Sequence, residues 1–118
     1  MAEHQRLICL SADLVEGGDG VRFAVSTNRG EAAAFVVRHD GQPRAYLNRC
    51  AHVPVELDWM PGQFFDESGL YLVCATHGAL YEPSSGRCVG GPCTGARLHG
   101  LAVEEHDGAI YLINNSPQ

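Results

Sequence analysis

Cys50-Ala51-His52 and Cys74-Ala75-Thr76-His77 carry two thiols and two imidazoles on two short segments, with 21 residues between His52 and Cys74. Small or turn-forming residues follow each pair, so both belong at the tips of loops. Thiolate together with imidazole selects zinc or an iron-sulfur centre, whereas calcium and magnesium call for carboxylates and carbonyls. Two readings of Cys50, His52, Cys74 and His77 follow. One is a structural zinc closed by two Cys and two His; the other is a 2Fe-2S cluster with two Cys on one iron and two His on the other. Zinc sites of this composition usually take a tight Cys pair from one segment and a His pair from another. Here each segment mixes one Cys with one His, as a cluster of two unlike irons requires.

On either side of these loops the chain is a series of short β-prone runs separated by Gly, Asp, Asn and Pro. The expected strands are 6–10, 21–26, 33–39, 44–48, 70–74, 79–82, 101–106 and 110–113, with a brief helical turn at Ser11-Ala12-Asp13-Leu14. Asp40-Gly41 and Asp107-Gly108 lie between apolar-rich runs and read as hairpin turns. The pattern is that of an all-β sandwich or barrel. Residues 53–69 make a connection longer than a hairpin needs, and it carries Leu57, Trp59, Met60, Phe64 and Phe65. These side chains are expected to cover a small local core, the alternative being a patch for docking a partner.

With Gly90-Gly91-Pro92 added, the two loops resemble a Rieske domain, and the likeness extends over most of the chain. The resemblance implies one antiparallel β domain over residues 1–118 with a smaller cluster-binding subdomain at about 49–93. It further implies one 2Fe-2S cluster on Cys50, His52, Cys74 and His77, with Gly91-Pro92 covering its third side. Respiratory Rieske proteins tie their ligand loops with a disulfide, and the matching positions here are Val55 and Thr76. They also place a Ser two residues past the second His, where this chain has Ala79, while Tyr81 either matches their sulfur-bonding Tyr or is an ordinary strand aromatic. The departures point to the soluble ferredoxin and oxygenase type, and to a midpoint in the lower part of the Rieske range of roughly −150 to +300 mV. The resemblance implies a one-electron carrier with no catalytic residue of its own. A flavin or iron-sulfur reductase would supply it, and a terminal oxygenase or other acceptor would drain it. Imidazole N–H groups on His52 and His77 would make that midpoint depend on pH at the alkaline end. A zinc-binding or redox-sensing module on the same four residues is the alternative.

Composition agrees with a small carrier. A 118-residue chain with 45% hydrophobic and 19% charged residues folds around one core and is neither disordered nor membrane-spanning. No stretch approaches the roughly 20 apolar residues of a membrane helix, and residues 1–6 do not start a signal peptide, so a cytoplasmic setting is expected. The net charge of −6 disfavours nucleic acid as a partner and would steer the chain toward a basic one. Beyond Cys50 and Cys74 there remain Cys9, Cys88 and Cys93. An odd remainder speaks against a disulfide framework and for a reducing compartment. Cys9 lies in an apolar run and reads as a buried inert thiol, Cys88 as plain packing; Cys93 is left open between a bridge to Cys88, a ligand and neither. His4, His39, His99 and His106 read as exposed polar residues.

Overall fold

The run Ala34-Phe35-Val36-Val37 is fully buried, and its place in the middle of a sheet organises the molecule. The computed structural model describes residues 5–27, 30–50, 55–58, 60, 62–76, 78–91 and 95–113. In chain order the elements are β1 (Gln5–Leu10), a 3-10 turn (Ser11–Asp13), β2 (Val21–Thr27), β3 (Gly30–His39) and β4 (Gln42–Leu47). Then come β5 (Leu72–Val73), β6 (Leu80–Tyr81), β7 (Cys88–Gly90), β8 (Gly100–Leu101), β9 (Val103–His106) and β10 (Ala109–Ile113). They form three antiparallel sheets in the orders β1-β10-β9, β2-β3-β4-β8 and β5-β6-β7.

Because successive side chains of a strand point to opposite faces, β3 serves two cores at once. Phe35 and Val37 join the cluster built around Leu57, Phe64, Leu72, Tyr81 and the two cysteines of the quoted motif. Val36 packs with Cys9, Leu14, Ala45 and Ile110, and Ala34 with Val25 and Leu112, on the side of the first sheet. A strand covered on both faces reads as a continuous apolar run rather than an alternating one.

The hairpin turns fall where expected. Asp40 and Gly41 have φ of 57° and 76°, and Asp107 and Gly108 have 54° and 75°, the left-handed pair that a two-residue turn between twisted strands demands. Glu16 accepts hydrogen bonds from the backbone N–H groups of Asp40 and Gly41 at 2.6 and 2.8 Å. Arg38, on β3, ties three elements together: its guanidinium donates to Leu14 O at 3.0 Å and Ser11 O at 3.3 Å, and pairs with Glu105 on β9 at 2.7 Å.

Three expectations are corrected. The run 101–106 is two strands in different sheets, because the chain passes at Ala102 from the edge of β4 to the edge of β10. The run 70–74 shortens to Leu72–Val73, since Leu70 and Tyr71 are exposed at the tip of a turn closed by Asp66 N–H to Tyr71 O at 2.9 Å. Strand β7 had no sequence signal: Cys-Val-Gly is short and ends in glycine, and pairing with Leu80 and Tyr81 is what makes it a strand.

Candidate metal centre

The two ligand segments close by the same device. Cys50 N–H donates to Val55 O at 2.8 Å and Cys74 N–H to Ala79 O at 2.9 Å, each cysteine reaching the carbonyl five residues on. Loop 74–79 is tightened by Gly78 N–H to Cys74 O at 2.8 Å and returns directly into β6. The two segments thus share this closing bond, one leaving β4 and the other spanning the β5–β6 hairpin.

Cys50 and Cys74 are 3% and 0% exposed and belong to one buried cluster with Leu57, Leu72, Ala79 and Tyr81. The Tyr81 hydroxyl lies 3.2 Å from Cys50 Sγ, which favours the sulfur contact over the ordinary strand aromatic for Tyr81. Gly91 lies against the second ligand loop: a Cβ there would stand 2.9 Å from Ala79 Cα, and its φ of 89° needs glycine as well. Two buried sulfurs in one otherwise apolar cluster, one facing a tyrosine hydroxyl, are a donor set that fits the cysteine-bound iron of a 2Fe-2S centre. His52 and His77, the other two candidate ligands, lie outside the described residues, as do Trp59, Pro92, Cys93 and His4.

The long connection divides as its side chains differ. Leu57 and Phe64 are fully buried, Phe64 stacking on Phe35 with ring centroids 4.0 Å apart and planes at 12°. Phe65 packs partly buried against the same cluster, and Met60 is exposed. The local-core expectation holds for Leu57 and Phe64 and fails for Met60.

Among the other cysteines, Cys9 is buried, and burial pushes its thiol up to about 11, as an inert packing residue should be. Cys88 corrects the sequence reading. It is disulfide-bonded. The pairing of β7 with β6 carries it into the core opposite Tyr81, a placement that no local spacing reveals. His39 and His99 are half-buried rather than exposed, His39 stacking on Phe65 at 6.5 Å. Sequence reasoning also passed over Asn48 and Asp58, the polar side chains that are buried among the described residues. An asparagine and an aspartate ten residues apart carry no motif; only folding brings them together.

No helix among the described residues is long and apolar enough to cross a membrane. A model of the Rieske [2Fe-2S] domain matches residues 4–113. Among solved structures, a chain from the complex of reduced oxygenase and oxidized ferredoxin in carbazole 1,9a-dioxygenase is 24% identical. It covers 97% of this chain and 96% of its own, with a TM-score of 0.72. The ferredoxin of Sphingomonas yanoikuyae B1 is 22% identical with a TM-score of 0.70, over 93% of this chain and 98% of that one. The terminal oxygenase of carbazole 1,9a-dioxygenase from Nocardioides aromaticivorans IC177 is 21% identical with a TM-score of 0.75. It covers 94% of this chain, which spans only 30% of the oxygenase chain. These likenesses are likenesses of fold. No curated protein sequence matches.

Proposed function

This chain belongs to the Rieske [2Fe-2S] domain family, and from that premise we propose that it is a one-electron carrier of the ferredoxin kind serving an oxygenase-type redox chain. The observation that carries the proposal is the pair of buried cysteines, each donating its N–H to the carbonyl five residues on, with Tyr81 against Cys50. Cys50 and Cys74 would hold one iron and His52 and His77 the other. When bound, the cluster supplies reversible one-electron transfer at a potential set by ligands, hydrogen bonds and exposure.

The protein's own contribution is a dry, rigid clamp. Leu57, Leu72, Ala79 and Tyr81 keep water from the sulfurs, and Gly91 seats the β7 loop against the second clamp. The fold likeness to ferredoxin chains along nearly their whole length supports the carrier reading. A terminal oxygenase as acceptor is supported by the same structures, one of which is described as an oxygenase–ferredoxin complex. A reductase as donor completes the proposal, since a carrier must be refilled. A cytoplasmic setting also belongs to it.

Low-temperature electron paramagnetic resonance of dithionite-reduced protein, with iron and sulfide analysis of the same sample, tests the reading. A rhombic signal of low average g with two irons and two sulfides per chain is expected. One zinc and no signal would end the electron-transfer account.

A further inference from the structure

Asp58 places a carboxylate side chain with no solvent exposure beside the first ligand loop. Burying a charge is costly unless it is paired and hydrogen-bonded, and here both oxygens have partners. Oδ1 accepts from Asn48 Nδ2 at 2.9 Å, Oδ2 accepts from Gly62 N–H at 2.9 Å, and Arg22 Nε on β2 stands 3.5 Å away. The arginine also reaches the exposed Glu56 at 2.7 Å.

The consequence lies one bond further on. A carboxylate only accepts, so it fixes which end of the Asn48 amide faces it and turns Asn48 Oδ1 toward the opposite side. There Oδ1 accepts from Leu57 N–H at 2.8 Å, and Leu57 O accepts from Ala75 N–H at 3.0 Å. Asn48 lies two residues before Cys50 and Ala75 one residue after Cys74. The chain of bonds Arg22–Asp58–Asn48–Leu57–Ala75 therefore runs from the outer strand of the large sheet through one ligand loop to the other.

We propose that Asp58, countered by Arg22, is a positioning residue: it sets the spacing of the two ligand loops through Asn48 and Leu57, and its buried charge holds down the reduction midpoint of the centre they carry. The inference rests on the carrier reading above. Each added electron makes the centre more negative, so a fixed anion nearby disfavours reduction and a fixed cation favours it. Asp58→Asn removes the anion, and Arg22→Gln leaves it uncompensated. A role confined to holding the loops would loosen them in both variants and has no reason to send the midpoint in opposite directions.

The test is a redox titration of wild type, Asp58→Asn, Arg22→Gln and Glu56→Gln, with amide hydrogen exchange by mass spectrometry on the peptides holding Leu57 and Ala75. The midpoint is expected to rise in Asp58→Asn and fall in Arg22→Gln. It should move less in Glu56→Gln, whose charge is exposed and screened. Exchange at Leu57 and Ala75 should accelerate several-fold in Asp58→Asn. Shifts of the same sign, unchanged midpoints, or unchanged exchange overturn the proposal. If Asp58→Asn takes up no cluster, Arg22→Gln decides: a fall beyond that of any change in Glu56→Gln supports the proposal, and no fall overturns it. Wild type without a 2Fe-2S signal removes the carrier reading itself, and the exchange data then judge the brace alone.

Discussion

Tyr81 shows how much one hydroxyl can decide. It is fully buried on β6 and its oxygen lies 3.2 Å from Cys50 Sγ; against a thiolate the hydroxyl is the donor. A hydrogen bond to a ligand sulfur stabilises the more negative, reduced state. Removing it in Tyr81→Phe, with the ring kept, should lower the midpoint. A bond worth about 1 kcal/mol corresponds to a fall on the order of 40 mV for one electron. A redox titration of the variant with its visible spectrum unchanged checks this, and an unmoved midpoint would show the contact to be packing only. Gly86 is constrained as tightly: a Cβ there would meet Tyr46 Cε1 at 2.6 Å, and its φ is 77°. Tyr46 has no freedom to yield, because its hydroxyl donates to Pro83 O at 2.7 Å, and burial pushes its phenol up to about 12.

At the scale of elements, the segment 55–73 is where chain order and spatial role diverge. Leu57, Phe64 and Leu72 form the floor beneath the two clamps, while Met60, Leu70 and Tyr71 face solvent. Phe64 is both fully buried and stacked on Phe35 of β3, so Phe64→Ala should cost about 3–5 kcal/mol in urea unfolding. Met60→Ala, 58% exposed, should change stability by less than about 0.5 kcal/mol. Equal costs for the two would mean that the loop packs differently in solution. Legibility follows the same division. Leu57, Met60 and Phe64 have alike apolar character in the sequence, and nothing in their spacing separates floor from surface, because the segment has no regular period to read.

For the molecule as a whole, the Arg38–Glu105 pair joins the two larger sheets at a stability that depends on pH. The Arg38 guanidinium holds the Glu105 carboxyl down at about 2 from an ordinary 4.5. A carboxylate whose pKa is depressed by folding contributes stability that is complete above its ordinary value and is lost as the proton returns. The pair therefore supports the fold above about pH 4.5, and its contribution disappears between there and about pH 2. With a quarter of the Glu105 side chain exposed, its worth after screening is on the order of 1–2 kcal/mol. Glu105→Gln should lose that amount at neutral pH and flatten the acid limb of the stability curve. Chemical denaturation at pH 7, 4 and 2.5 checks both, and an acid limb as steep as wild type would assign the acid sensitivity to other carboxylates.

The sequence by itself determined the β class, the hairpin turns and the family, and proposed the four ligands, because each is carried by residues close together in the chain. Cys and His at fixed short spacing, Asp-Gly pairs and apolar runs act locally, and they need no partner from elsewhere to be recognised. Only the tertiary structure decided that β3 is the wall between two cores, that residues 100–106 turn from one sheet to another at Ala102, that β7 exists, and that Cys88 is in a disulfide. It alone decided as well that Asn48, Asp58 and Arg22 meet behind the ligand loops. These are contacts between segments far apart in the chain, fixed by which surfaces must be buried together, and no local pattern encodes them.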